Sequence, residues 1–89
     1  MKKEIIYLVG DSGPEHNFVR SAHKTYEGAF RAWDKLRLYL LKDAKRHLKS
    51  SGEGYMYLRM IKSLSYKDPT KIDNYPHENP YIQKIEIDV

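Results

Sequence analysis

Eighty-nine residues with a net charge of +4 and 40% apolar side chains make one domain built around a modest core. Cysteine is absent, which excludes disulfides, thiolate metal sites and cysteine nucleophiles. Met1-Lys2-Lys3-Glu4 leads into only five apolar residues, too short for a signal-peptide core or a membrane span, so a cytoplasmic protein is expected.

Glu4–Val9 is apolar on both alternating sets, which predicts a central strand covered on both sides. Gly10-Asp11-Ser12-Gly13-Pro14 is a dense turn signal. Asn17–His23 alternates more weakly and is expected to return antiparallel to the first strand.

From Tyr26 to Lys49 the spacing predicts one long helix with two unlike faces. Tyr26, Ala29, Phe30, Trp33, Leu36, Leu40, Leu41, Ala44 and Leu48 share one broad arc. Arg31, Lys35, Lys42, Lys45, Arg46 and Lys49 share the opposite one, with Leu38 and Tyr39 among or beside them. Thr25 suits the N-cap, and Glu27 puts a carboxylate where the helix dipole favours it. Gly28 weakens the helix but permits a close approach to the sheet. Arg37 falls inside the apolar arc, where its stem can pack while the guanidinium snorkels out or finds a carboxylate.

Ser50-Ser51-Gly52 ends that helix, and Ser51 can cap a second. Glu53–Tyr66 fits a helix better than a strand, with Tyr57, Met60, Ile61 and Leu64 on one face and Arg59, Lys62 and Tyr66 on the other. Asp68-Pro69 stops it. Thr70–Pro80 lacks periodicity and reads as an extended loop pinned by Ile72 and Tyr75. Tyr81–Val89 alternates cleanly, which predicts a half-buried strand with Ile85, Ile87 and Val89 inward and Lys84, Glu86 and Asp88 outward. The elements assemble as an α+β fold, β-β-α-α-β. A mainly antiparallel three-stranded sheet in the order 2-1-3 packs against the long helix, with a short second helix beside it.

The chemistry-bearing residues give little support to catalysis. Ser12 with His16 or His23 as base lacks a third group and an oxyanion donor. The histidines His16, His23, His47 and His77 have no spacing that puts two ligands on one helix face, so no metal and no cofactor are expected. His47, on the apolar arc, reads as a core-edge side chain. Asp11, Glu15 and Asp73 lie in separate loops, and no phosphate-cradling Gly-rich loop is present. A non-enzymatic protein is the expectation.

Two surfaces suggest partners instead. Between Arg31 and Lys49 there are seven Lys or Arg residues against two Asp, a face suited to an acidic protein or to a nucleic-acid backbone. No helix-turn-helix partner, basic arm or aromatic cluster accompanies it. Eight tyrosines exceed what a small core can hold. Tyr55, Arg59, Tyr66, Tyr75, His77 and Tyr81 therefore form the expected contact patch for a protein partner, since Tyr and Arg anchor interfaces. The leading reading is a protein-binding module, with a nucleic-acid binder as the alternative. A homodimer through an exposed strand edge or through Leu38–Tyr39 fits the same pattern.

Thr25-Tyr26-Glu27-Gly28-Ala29-Phe30-Arg31-Ala32-Trp33 and Lys71-Ile72-Asp73-Asn74-Tyr75-Pro76-His77-Glu78-Asn79-Pro80-Tyr81-Ile82 resemble segments of small uncharacterised proteins carried by Gram-positive bacteriophages and prophages. The resemblance implies an accessory protein acting on a host factor. It brings no catalytic signature and no site residue.

Overall fold

The computed structural model describes residues 2–13, 16–50, 54–72 and 79–88. Five elements run in the order β1 (Lys3–Ser12), β2 (Asn17–His23), α1 (Tyr26–Ser50), α2 (Gly54–Leu64) and β3 (Asn79–Asp88). The strands form one antiparallel sheet in the order β2-β1-β3, so the most apolar strand is central, as its composition predicts. The expected β-β-α-α-β architecture is the observed one.

β1 continues through the first part of the turn signal, with Gly10, Asp11 and Ser12 still paired on both sides. Gly10 is there for close approach. A Cβ at this position would lie 2.2 Å from the Phe18 carbonyl oxygen and 2.6 Å from the Tyr81 hydroxyl. Tyr81 crosses the strand at that glycine and donates to Asn17 Oδ1 at 2.6 Å, tying β3 to β2 over the top of β1. Opposite, the register jumps from Val9↔Ser21 to Gly10↔Val19, leaving Arg20 as a bulge residue. The turn itself tightens at Gly13, whose amide donates to the His16 carbonyl at 2.9 Å.

Thr25 caps α1 by accepting the Gly28 amide at 3.1 Å, and Glu27 sits in the first turn. At 25 residues, α1 is about 37 Å long, and the sheet covers only its first half. There Ala29 and Trp33 are buried with Val9, and Tyr7, Phe30, Leu36, Ile72 and Ile82 surround them. The Trp33 indole N–H donates to the Pro80 carbonyl at 3.1 Å, which fixes α1 to the start of β3. The second half of α1 packs against α2 through Leu40, Ala44 and Leu64, with Leu41, Met60 and Ile61 beside them. Leu36 and Ile72 touch both clusters. The result is elongated, 56 × 25 × 18 Å.

Arg37 is buried and finds its carboxylate. Its guanidinium donates to Asp34 Oδ1 and to the Leu64 carbonyl at 2.8 Å, and lies 5.8 Å from the Trp33 ring centre. The Leu64 carbonyl belongs to the last turn of α2, where helix geometry leaves acceptors unpaired.

Four sequence expectations are corrected. Tyr26 is half exposed, its ring edge-on to Tyr7, because it begins the helix at the margin of the sheet. His47 is exposed rather than at the core edge, stacking on Tyr57 and approaching Asp43 at 3.4 Å. Among the described residues, β1 is covered on one face only. The inward and outward sets of β3 are exchanged: the continuous β1–β3 register puts Ile82, which packs against the core, on the helix side with Lys84 and Glu86. Ile85 and Ile87 therefore face away from α1. The expected cap at Ser51 and the pinning contact of Tyr75 lie outside the described residues.

Candidate docking surfaces

Strand alternation divides β1 into two sets. Val9 and Tyr7 pack beneath α1. Ile6 and Leu8 point the other way, where the register sets them beside Ile85 and Gln83 of β3, with Ala22 of β2 beside Leu8. Val19, Tyr81 and Ile87 complete this open face, with Glu4 and Asn17 toward its ends. Val19 is 55% exposed and Ile87 40%. None of the buried clusters includes these side chains. A contiguous apolar sheet face with no covering layer among the described residues is the feature that composition alone does not show.

The predicted tyrosine patch does not form one surface. Tyr55, at the start of α2, is 84% exposed and Arg59 follows it one turn later, with Leu58 exposed between them. Tyr66 is exposed just beyond the other end of α2. Tyr81 belongs to the sheet, half-buried and held by Asn17. Tyr75 and His77 lie outside the described residues.

The basic face of α1 is solvent-facing throughout: Arg31, Lys35, Lys42, Lys45, Arg46 and Lys49 are all exposed. Arg46 binds Asp43 one turn back. Among the described residues, Arg31, Lys35, Lys42, Lys45 and Lys49 have no carboxylate partner. An open groove of about 520 Å³ runs along Tyr39, Lys42, Asp43, Lys45, Arg46 and Lys49. Tyr39 is 67% exposed, and Leu38 beside it is also exposed.

Beside this groove, Asp11 is buried at the end of β1. Arg20, turned inward by its bulge, donates to Asp11 Oδ1 at 2.5 Å, and His16 Nε2 lies 3.5 Å from Oδ2. Phe18 stacks on His16 and lies under the Arg20 guanidinium. The arrangement neutralises a buried carboxylate. His23 bonds Ser21 Oγ at 2.7 Å. Neither imidazole bonds Ser12 among the described residues. No group of three or more His, Asp or Glu side chains there could hold a metal. No described helix is long and apolar enough to cross a membrane.

Sequence reasoning missed the open face because it assigned both apolar sets of β1 to the core. The signal was present: two apolar sets need two covering layers, and one long helix supplies one. Comparison with protein families, curated proteins and solved structures finds no match, so function rests on these surfaces.

Proposed function

We propose that this chain is a non-enzymatic binding module that acts by protein–protein contact, its partner supplying the missing layer over the open sheet face. The observation that carries the reading is the set Ile6, Leu8, Val19, Ile85 and Ile87, five aliphatic side chains on one side of the sheet that no described residues cover. Burying such side chains is worth about 1.5–3 kcal/mol each when complete, so a docked partner recovers stabilisation that the monomer leaves unused. Polar Glu4, Gln83 and Asn17 supply the rim that interfaces need. Tyr55, Leu58 and Arg59 on α2 form a second anchor set of the type enriched at interfaces. In the phage setting implied by the resemblance, the partner would be a host protein met in the cytoplasm.

The test is affinity capture from host lysate, with nuclease, using the wild-type chain, a Val19→Asp/Ile85→Asp variant and a Tyr55→Ala variant. Sedimentation of each variant runs alongside. A stoichiometric protein lost only with the sheet-face variant supports the reading. A dimer that the same variant dissolves identifies the partner as a second copy. Undiminished capture by the sheet-face variant would show that this face is not the docking surface.

A further inference from the structure

We infer that the outer face of α1 binds single-stranded nucleic acid, the phosphates on its lysines and an unstacked base on Tyr39. This inference stands apart from the sheet-face reading, because it uses none of the side chains of the open sheet face.

The charge pattern comes first. On the outer arc Arg31, Lys35, Lys42, Lys45 and Lys49 are exposed and unpaired among the described residues, while Asp43 is already answered by Arg46 and His47. Five unanswered cations along about 27 Å of helix form a linear positive track. An acidic protein surface would rarely match a straight line of that length. A polyphosphate chain matches it by construction.

The second observation is shape. The groove along Lys42, Lys45, Arg46 and Lys49 adjoins a cleft of about 470 Å³, and Tyr39 and Asp43 line both. Leu36, Leu40 and the Tyr39 ring line its apolar side. Asp11, Arg20 and Asp43 line its polar side. A base leaving the strand at Tyr39 therefore finds an exposed ring to stack on at the mouth of the cleft. Bases in a duplex are already stacked and paired and have no use for such a cleft. That selects a single strand, with a footprint of about four nucleotides, at the small end for such modules.

The test is fluorescence anisotropy of a labelled dodecathymidylate across a salt series. The competitors are the duplex it forms with its complement and poly-glutamate, which has the charge without the bases. Circular dichroism checks the fold of each variant. The expected result is binding whose logarithm falls with log salt at a slope of about −2, for three phosphates on a single strand. Lys42→Glu/Lys45→Glu/Lys49→Glu should abolish it, and the matching Gln triple should weaken it and flatten the slope. Tyr39→Ala should weaken binding about 5- to 150-fold at unchanged slope. Equal competition by the duplex, or indifference to Tyr39→Ala, overturns the single-strand assignment. Equal competition by poly-glutamate reassigns the face to an acidic protein, and no binding at low salt overturns the inference outright.

Discussion

Replacing Arg37 should cost more stability than any other change on α1 that leaves the apolar core intact. The side chain is 6% exposed and makes three kinds of contact at once. Its bond to the Leu64 carbonyl, at 2.8 Å and buried, involves a charged donor, and losing it leaves a helix-terminal acceptor without a partner, about 1.5–3 kcal/mol. Its ion pair with Asp34 is worth less, about 0.5–1 kcal/mol, because Asp34 keeps some solvent access and a second cation, Lys67, at 3.8 Å. The stem and guanidinium against Trp33 add about 0.5–1 kcal/mol. Arg37→Ala should therefore lose about 3 kcal/mol, and Arg37→Met, which keeps the stem, about 2 kcal/mol. In a domain of this size the first corresponds to a Tm drop of about 12–24 °C. Urea unfolding followed by fluorescence and by far-ultraviolet circular dichroism measures both, since Trp33 is the single tryptophan and reports the sheet-side cluster while dichroism reports the helices. A loss below 1 kcal/mol for Arg37→Ala, or a Met variant as stable as wild type, refutes the assignment of Arg37 as the tie between α1 and α2.

Gly10→Ala should destabilise by about 3 kcal/mol, the upper end for overpacking, because its Cβ meets the Phe18 backbone oxygen, which cannot turn aside; thermal melts will read this. Thr25→Ala removes the cap of α1 and should lose about 1 kcal/mol in the same melts, with Thr25→Ser close to neutral. The hydroxyl and then the amide of Thr70 donate to Asp68 and hold its carboxyl below the usual carboxylate range. Thr70→Val should raise it, measurable by carboxyl NMR titration. A depressed folded value means a contribution present above the unfolded value and lost as pH falls through the folded one, so its loss belongs to the acid limb.

The fold was largely legible because the longest segments carry clear periods, although Asn17–His23 alternates weakly and Glu53–Tyr66 is ambiguous between helix and strand. Twenty-four residues of helical periodicity, Tyr26 to Lys49, with a Thr25 cap admit one reading, and an unbroken apolar run beside a weaker one places β1 between its neighbours. What misled was facing, not existence. Ile85 and Ile87 alternate with Lys84 and Glu86 as a half-buried strand should, but alternation shows only that two faces differ. Which face meets α1 is set by Ile82 and by the Trp33–Pro80 bond, contacts across 47 residues that no local pattern carries. The same holds for Asp11, read as a loop carboxylate. It is a buried one only because the Arg20 bulge delivers a guanidinium to it. The basic face was legible as a charge pattern, whereas the cleft beside Tyr39 depends on the end of the sheet reaching α1.

The two proposed surfaces lie on opposite sides of a two-layer molecule. Trp33 and Ala29 point α1 toward the sheet, so Lys42, Lys45 and Lys49, about half a helical turn away around its axis, point outward. Ile6, Leu8 and Ile85 point outward from the far side of the sheet, with a helix and a sheet layer between the two sets. Partners on these faces would not collide, and the chain could hold a protein and a nucleic-acid strand together. Substitutions more than about 10 Å apart without shared contacts act independently. Ile85→Asp/Ile87→Asp, on β3 and separated from the Arg20 bulge by β1, should thus leave oligonucleotide affinity within twofold of wild type, and the lysine triple should leave protein capture unchanged. In anisotropy and capture assays on the combined variant, each loss should equal that of its parent. If either set of substitutions disturbs the other assay in a chain that dichroism shows to be folded, the two faces belong to one interface that wraps the edge of the sheet.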